Sequence, residues 1–270
     1  MGLFELSRRV AAKKWDDAAK AHADKLERVD SGLPFSAQIG ALLEVPRADF
    51  ALLDGSLLQV PKLAQMPIVA VSRMHLDADD DLALFRLYTD CGTDRGGVGQ
   101  SYLQVVCRAG AVDDIRDLAY YQFLCRNFPV TEEEQEPFLG KGFGLGQTTY
   151  EMADDQLSGI PHVAGNFNDL LAGKDALYFT RDTPAGGDYV APYRAQENRL
   201  DDAEGEKGLT KEVSFMPYVR DLAGGGPNGR QERLLISFEY VETMDGKPAP
   251  AVHVDYMAGL ALDRLKVKVL

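Results

Sequence analysis

Short runs of apolar and β-branched residues, separated by turn residues, recur along this chain from residue 35 onward. Runs of this length and composition are typical of strands, and short turns between them favour antiparallel neighbours. Asp54-Gly55 and Asp245-Gly246 are signals for tight turns. The pattern predicts strands over residues 37–45, 68–74, 82–89, 102–107, 213–220, 233–241, 251–257 and 265–269, with two further runs, 50–53 and 57–60, on either side of Asp54-Gly55.

Residues 1–30 follow a different pattern, which predicts an N-terminal amphipathic helix. Spacings of three and four residues place one apolar stripe on such a helix. The stripe consists of Trp15, Ala19, Ala23, Leu26 and Val29. Residues 31–34, Ser-Gly-Leu-Pro, are typical of a helix end. Three interpretations stay open: the helix packs on its own domain, docks a partner, or makes peripheral contact with a membrane surface through residues 1–15.

A short mid-chain helix is predicted by the capping box that begins at Thr131 and ends at Glu134. Taken together, the patterns predict an α+β fold, mainly antiparallel β-sheet in two interlocked halves. The expected organisation is the helix over residues 1–30, a first β-rich half over 31–150 and a second over 151–270. The two halves are expected to interlock rather than to form independent modules, with one continuous domain as the alternative description.

The charge balance bears on which partners the chain can have. The 270 residues carry a formal net charge of −13. Proteins that bind nucleic acids neutralise phosphates with clustered Lys and Arg, so the acidic balance argues against that class. Cys91, Cys107 and Cys125 are widely spaced and odd in number, which favours reduced thiols. No secretory leader pattern precedes residue 30, and a cytoplasmic location is expected.

Several motifs resemble known sites but lack an essential part. The Gly224–Gly229 run matches the dinucleotide fingerprint, yet it leads into a strand, and a hairpin loop is expected there. The alternating glycines of 140–146 favour a turn or close backbone approach over a ligand cradle. The acidic run 77–81 lacks the later glycine and glutamate of a calcium loop. The histidines and cysteines show no zinc-ligand spacing, so no catalytic residue, metal ligand or cofactor is predicted.

One segment keeps a functional interpretation. The stretch from residue 178 to 199 mixes Tyr and Arg with turn residues. Tyr and Arg are enriched at protein–protein hot spots because they combine a large contact area with polar tips. The competing interpretation is a structural loop with aromatic anchors in the core. The predicted binding residues are Tyr178, Arg181, Asp182, Tyr189, Tyr193 and Arg194.

Dispersed blocks between residues 33 and 270 resemble the YjfK-like family of bacterial proteins of uncharacterised function. The blocks include Leu33-Pro34-Phe35, residues 102–105, residues 232–236 and the closing Asp255-Tyr256-Met257-Ala258-Gly259-Leu260. The resemblance carries over no catalytic residue. It implies a cytoplasmic factor that is accessory to a bacterial membrane-stress system, with a PspA-like protein as a partner.

Two functions are carried forward from the sequence. The first is a non-enzymatic interaction or adaptor protein that uses the Tyr/Arg segment and the acidic surface. The alternative is a small-molecule-binding protein or enzyme whose site is built from dispersed polar residues such as Arg181, Asp182 and Tyr189. A shallow face lined by Tyr and Arg would favour the adaptor, and a deep pocket with convergent polar groups would favour the alternative.

Overall fold

The computed structural model describes residues 28–77, 81–89, 101–163, 170–171, 173–184, 186–222 and 230–270. The predicted N-terminal helix, apart from its last residues, and the Gly224–Gly229 run lie outside the described residues. The strands are β1 (Leu42–Glu44), β2 (Met66–Leu76), β3 (Leu82–Thr89), β4 (Ser101–Arg108), β5 (Ala111–Asn127), β6 (Thr149–Ala153), β7 (Ala176–Arg181), β8 (Tyr193–Leu200), β9 (Gly208–Asp221), β10 (Gln231–Met244), β11 (Lys247–Ala261) and β12 (Lys268–Val269).

Eight of these strands close into an antiparallel barrel. The pairing runs from β2 through β3, β4, β5, β11, β10, β9 and β8, and β8 pairs again with β2. The strands β1 and β12 extend the sheet from one end of β2, and β7 and β6 extend it from the far part of β9. Four barrel strands precede residue 150 and four follow it, while the predicted division into domains stays a prediction.

The inner face of the barrel is defined by side chains that meet from every barrel strand. Successive side chains of a strand point to opposite faces, so one alternate set of each strand turns inward. The buried inner set consists of Ala70, Met74, Leu84, Tyr88, Tyr102, Ala119, Tyr121, Ala195, Val213, Phe215, Leu235 and Met257. A second, larger apolar cluster joins the outer faces of the strands to the segments that cover them.

The segment around Ser56 is attached to the outside of the barrel by side-chain hydrogen bonds. The buried carboxylate of Glu232 accepts from Ser56 Oγ at 2.5 Å, from Leu57 N at 2.6 Å and from Arg220 Nε at 2.7 Å. The side-chain amide of Gln122 accepts from and donates to the backbone of Gln59, both at 2.8 Å. These contacts replace the backbone ladder that a strand at residues 57–60 would have made.

The prediction of mainly antiparallel β-sheet is confirmed, but the described part of the chain is mainly β, which corrects the α+β class. Its helices are short: α1 (Arg47–Ala51), α2 (Glu132–Gln135), α3 (Asp154–Ser158) and the 3₁₀ helices Pro34–Ser36, Glu136–Phe138 and Arg264–Lys266. The runs flanking Asp54-Gly55 were predicted to be strands, which is wrong: α1 ends at Ala51 within the first run, and the rest of that run and the second run are irregular. The capping box of the mid-chain helix is confirmed, with both reciprocal hydrogen bonds between Thr131 and Glu134.

The turn between β10 and β11 is also confirmed. Asp245 and Gly246 both have positive φ, 49° and 68°, which is the conformation that matches a two-residue hairpin to the twist of its strands. Among the described residues, no helix has the length and apolar character needed to cross a lipid bilayer.

Candidate functional site

Two of the predicted binding residues, Tyr193 and Arg194, line a surface groove where β8 begins. The groove has a volume of about 440 Å³, and its walls are mostly apolar. The other residues that line it are Asp77, Leu139, Gly140, Val190, Ala191, Pro192 and Ser214. The first of these residues directly follows β2, and the others come from the turn after the 3₁₀ helix Glu136–Phe138, the segment that leads into β8 and the facing part of β9.

Neighbouring elements fix the shape of the groove. The Tyr193 ring turns towards the inner face of the barrel and packs against Phe215, with ring centroids 5.6 Å apart. The Asp77 N–H donates to the Arg194 carbonyl at 2.9 Å, while the Arg194 side chain is exposed. The groove is therefore lined mainly by apolar residues, with one acidic and one basic residue among them.

Arg181 does not line this groove. Its side chain stabilises the adjacent loop, residues 183–187, through hydrogen bonds. Its guanidinium donates to the carbonyl of Gly146, to those of Gly186 at 2.7 Å and Gly187 at 3.0 Å, and to Thr183 Oγ1 at 3.0 Å. The donors that a partner would need are therefore directed at the chain's own backbone.

The remaining predicted residues are dispersed around this loop. The Tyr178 side chain is 44% exposed, and its hydroxyl donates to Asp175 at 3.0 Å. Asp182 is exposed, and its N–H donates to the carbonyl of Pro217 at 2.9 Å. Tyr189 forms an isolated bridge with Gln147. The structure thus places Tyr193 and Arg194 at the groove, whereas none of the other four lines it.

A second candidate site lies inside the barrel, where ionic side chains meet. Arg86 and Glu197 are almost fully buried, with Arg86 Nη1 3.0 Å from Glu197 Oε2. Lys211 Nζ lies 3.0 Å from the same oxygen and 2.6 Å from Glu239 Oε2. The Tyr88 hydroxyl donates to the other oxygen of Glu197. The carboxylates thus alternate with cations across the interior.

The network continues towards the rim of the barrel through β10, β11 and β5. His253 Nε2 lies 3.2 Å from Glu239 Oε2 and 3.8 Å from Asp255 Oδ2. Arg126 donates two hydrogen bonds to Asp255, at 2.6 Å and 2.7 Å. The Arg126 side chain is 39% exposed, whereas that of Asp255 is only 11% exposed. This ion pair is therefore the part of the network that reaches solvent.

Burial and pairing act against each other on these carboxyl groups. Burial alone would raise the pKa of Glu197, but Lys211 and Arg86 lower it below its usual value. For Glu239, Lys211 and His253 likewise overcome burial and hold the pKa well below its usual range. Burial has the larger effect on Asp255, whose pKa is raised despite the bond from Arg126. Glu197 and Glu239 are therefore ionised at neutral pH.

Three of these residues have the chemistry of metal ligands. One ligand atom each of Glu239, His253 and Asp255 lies within 4.8 Å of the others, and all three residues are buried. The sequence analysis missed this cluster because its members are dispersed. The available signal was the alternation of His253 and Asp255 within a predicted strand, which places both on one face.

The two described cysteines are free thiols in apolar surroundings. Cys107 is buried and Cys125 is half-buried. Burial raises the pKa of each thiol to about 11, so neither carries a substantial thiolate fraction at neutral pH. Both thiols are therefore poor nucleophiles in the folded chain.

The alternating glycines of residues 140–146 allow a left-handed backbone conformation and close contact between backbone segments. Gly140, Gly142, Gly144 and Gly146 all have positive φ. A Cβ on Gly144 would lie 2.3 Å from the Pro137 carbonyl oxygen, and one on Gly146 would lie 2.0 Å from that of Val190. Close backbone approach, one of the two predicted roles, is therefore confirmed.

Comparison with protein families gives a match that covers nearly the whole chain. The family described as Protein of unknown function (DUF2491) matches residues 19–267. Comparison with curated proteins and with solved structures gives no significant match. The narrower YjfK-like name stays a prediction. Because the match spans far more than half of its residues, the chain belongs to the DUF2491 family of proteins of unknown function.

Proposed function

We propose that this protein is a non-enzymatic interaction protein that binds a protein partner in the groove beside Tyr193 and Arg194. The observation that carries the proposal is the groove itself, which combines a volume of about 440 Å³ and mostly apolar walls with the exposed side chain of Arg194. Interfaces typically pair an apolar centre with a polar rim, and Tyr and Arg are enriched among their hot spots.

The filled interior of the barrel supports a contact on the outside. The inner side chains pack into one apolar cluster, and the ionic groups beside them form pairs with each other. A protein that carries a ligand inside a barrel needs an internal cavity large enough to hold it. The groove is open to a segment that approaches from solvent.

The chemistry of the groove indicates what the partner presents. An apolar side chain would fill the space between Leu139 and Pro192, and an acidic residue beside it would pair with Arg194. The partner's wider surface would be basic, because the chain has a net charge of −13 and opposite charge speeds association. Within this proposal the protein is a cytoplasmic accessory factor of a membrane-stress system, and a PspA-like protein is the first partner to test.

The test compares four forms of the full-length chain in capture from native lysate with quantitative mass spectrometry. Ala191→Trp fills the groove from an exposed position, and Arg194→Glu reverses its charge. Lys247→Glu reverses an exposed charge at the start of β11 and serves as the matched control. A purified PspA-like protein is then titrated against the same four forms.

The proposal expects a protein that wild type and Lys247→Glu retain and that both groove variants lose, at least tenfold. Equal recovery by all four forms would contradict the groove as the binding site. Recovery of no specific protein by wild type would contradict the adaptor function and favour the alternative, a small-molecule-binding protein or enzyme.

A further inference from the structure

Glu239, His253 and Asp255 form a compact set of nitrogen and oxygen ligands on two adjacent strands. We propose that this set binds one divalent transition-metal ion of the Zn²⁺ class, and that the ion replaces the guanidinium of Arg126 on Asp255. The three residues are only 3%, 6% and 8% exposed, so such an ion would be held inside the barrel. The inference is independent of the groove and of its partner.

The strand geometry places the three ligands without rearrangement of the backbone. His253 and Asp255 are alternate residues of β11 and share its inner face, and Glu239 is the direct cross-strand partner of His253. His253 Nε2 lies 3.2 Å from Glu239 Oε2 and 3.8 Å from Asp255 Oδ2. Ligands about 2.0–2.2 Å from a tetrahedral zinc ion lie about 3.4 Å apart, so these separations bracket the required value.

Neighbouring side chains already orient the ligands. Ser237 Oγ donates to Glu239 Oε1 at 2.9 Å, which leaves the other oxygen directed at His253. Such outer contacts fix the orientation of ligating carboxylates and are a regular part of metal sites. Imidazole nitrogen together with carboxylate oxygen suits Zn²⁺, Mn²⁺ and Fe²⁺ better than it suits Mg²⁺ or Ca²⁺.

The charge balance decides how an ion can enter, because cations already hold both carboxylates. Lys211 lies on Glu239 and also on Glu197, so it keeps a carboxylate partner in either state. Arg126 is different: its side chain is 39% exposed and can turn into solvent. Its departure leaves three buried carboxylates against the two cations Arg86 and Lys211. The uncompensated negative charge then favours a bound cation.

Titration calorimetry of the full-length chain with ZnCl₂, after chelator treatment and dialysis, tests the inference. We expect one ion per chain, at least tenfold weaker binding in His253→Gln, and unchanged binding in His162→Gln. His162 is the matched control because its Nε2 contacts the Leu57 carbonyl at 2.8 Å, outside the barrel. Arg126→Ala is the sharpest variant: removal of the competing guanidinium should tighten Zn²⁺ binding several-fold.

If the three residues form only a structural ion-pair network, the wild-type chain will not bind Zn²⁺ through them, and Arg126→Ala will not increase the Zn²⁺ affinity. Absence of Zn²⁺ binding by the wild-type chain would overturn the inference. Equal binding by wild type and His253→Gln would also overturn it, since the ion would then lie elsewhere. If His253→Gln fails to fold, as judged by circular dichroism, Arg126→Ala still tests the inference. Weaker or unchanged Zn²⁺ affinity in that variant would contradict the replacement of the Arg126 guanidinium by the ion.

Discussion

Glu197 lies on β8, the strand that closes the barrel against β2, and its carboxylate meets Arg86, Lys211 and Tyr88. Despite burial, the two cations lower its pKa below the ordinary value of 4.5. A carboxyl whose pKa is lowered in the folded state stabilises the fold above its unfolded pKa and loses that contribution as the pH falls through the folded one. Glu197 therefore contributes fully at neutral pH and progressively less below about pH 4.5.

Replacement of Glu197 by Gln should lower the free energy of unfolding at pH 7 by about 3–5 kcal/mol, because two buried cations lose a partner. The loss should shrink as the pH falls from 5 towards 3. Urea unfolding, followed by circular dichroism across this range, measures both effects. Glu206→Gln, at an exposed position, should change stability by less than about 0.5 kcal/mol. A Glu197→Gln difference that does not depend on pH would contradict the argument.

Arg181 and Arg194 make a matched pair of arginines in one segment. Arg181→Ala should destabilise the protein by about 1–3 kcal/mol, because the carbonyls of Gly146, Gly186 and Gly187 lose their donor. Arg194→Ala should stay within about 0.5 kcal/mol, since that side chain is exposed. Thermal and urea unfolding of both variants measure the difference. Equal stability of the two variants would contradict a stabilising role for the hydrogen bonds of Arg181.

The same pair shows what sequence could tell at this scale. Composition identified a segment rich in Tyr and Arg, and Tyr193 and Arg194 do line a groove. It could not show that the donors of Arg181 turn back to Gly146, 35 residues earlier in the chain. The direction of a side chain depends on tertiary packing, which local composition does not record.

At the scale of elements, the turn with alternating glycines offers a controlled test of close packing. Gly142 and Gly144 have φ of +92° and +72°, so alanine at either position incurs the cost of the left-handed conformation, about 1–2 kcal/mol. Only Gly144 of this pair is crowded: a Cβ there would lie 2.3–2.7 Å from atoms of Pro137, whereas a Cβ on Gly142 would meet nothing within 4 Å.

Gly144→Ala should therefore be less stable than Gly142→Ala by a further 1–3 kcal/mol, approximately the cost of overpacking. The difference between the two midpoints of urea unfolding measures this extra cost, because the backbone cost is common to both. Equal midpoints would show that the Pro137 turn moves aside freely.

Strand prediction succeeded for long apolar runs, and it was wrong for most of the alternating run 265–269, where a 3₁₀ helix covers Arg264–Lys266 and only Lys268–Val269 is strand. The predicted run 82–89 coincides with β3. The long strand β5 and the closing strand β8 were not predicted as strands: the first half of β5 contains Asp113, Asp114 and Asp117, and β8 reads Tyr-Arg-Ala-Gln-Glu-Asn-Arg-Leu. In β8, Glu197 is buried only because Arg86 and Lys211 face it from other strands. A prediction rule that places every charged side chain in solvent cannot identify such a strand.

At the scale of the whole molecule, closure depends on pairings between distant parts of the chain. The strand β5 pairs with β11, and β2 pairs with β8, so both seams join the part before residue 150 to the part after it. The resulting barrel has no free edge along its described ring of strands. Sequence patterns predict strands but not which distant strands meet, so mainly antiparallel sheet was predictable and the closed ring was not.

The closed ring predicts that residues 31–150 and 151–270 unfold together. Either half alone would expose the β2 and β5 edges or the β8 and β11 edges, together with the inner apolar face. Calorimetry of the full-length chain should show one transition with calorimetric and van't Hoff enthalpies in agreement. Far-ultraviolet and near-ultraviolet circular dichroism should give the same urea midpoint. Two separated transitions would show that the halves are independent domains. Glu197→Gln weakens the pairing of β8 with β2. This substitution should lower the temperature of the single unfolding transition without splitting it, because separation of β8 from β2 opens the whole ring.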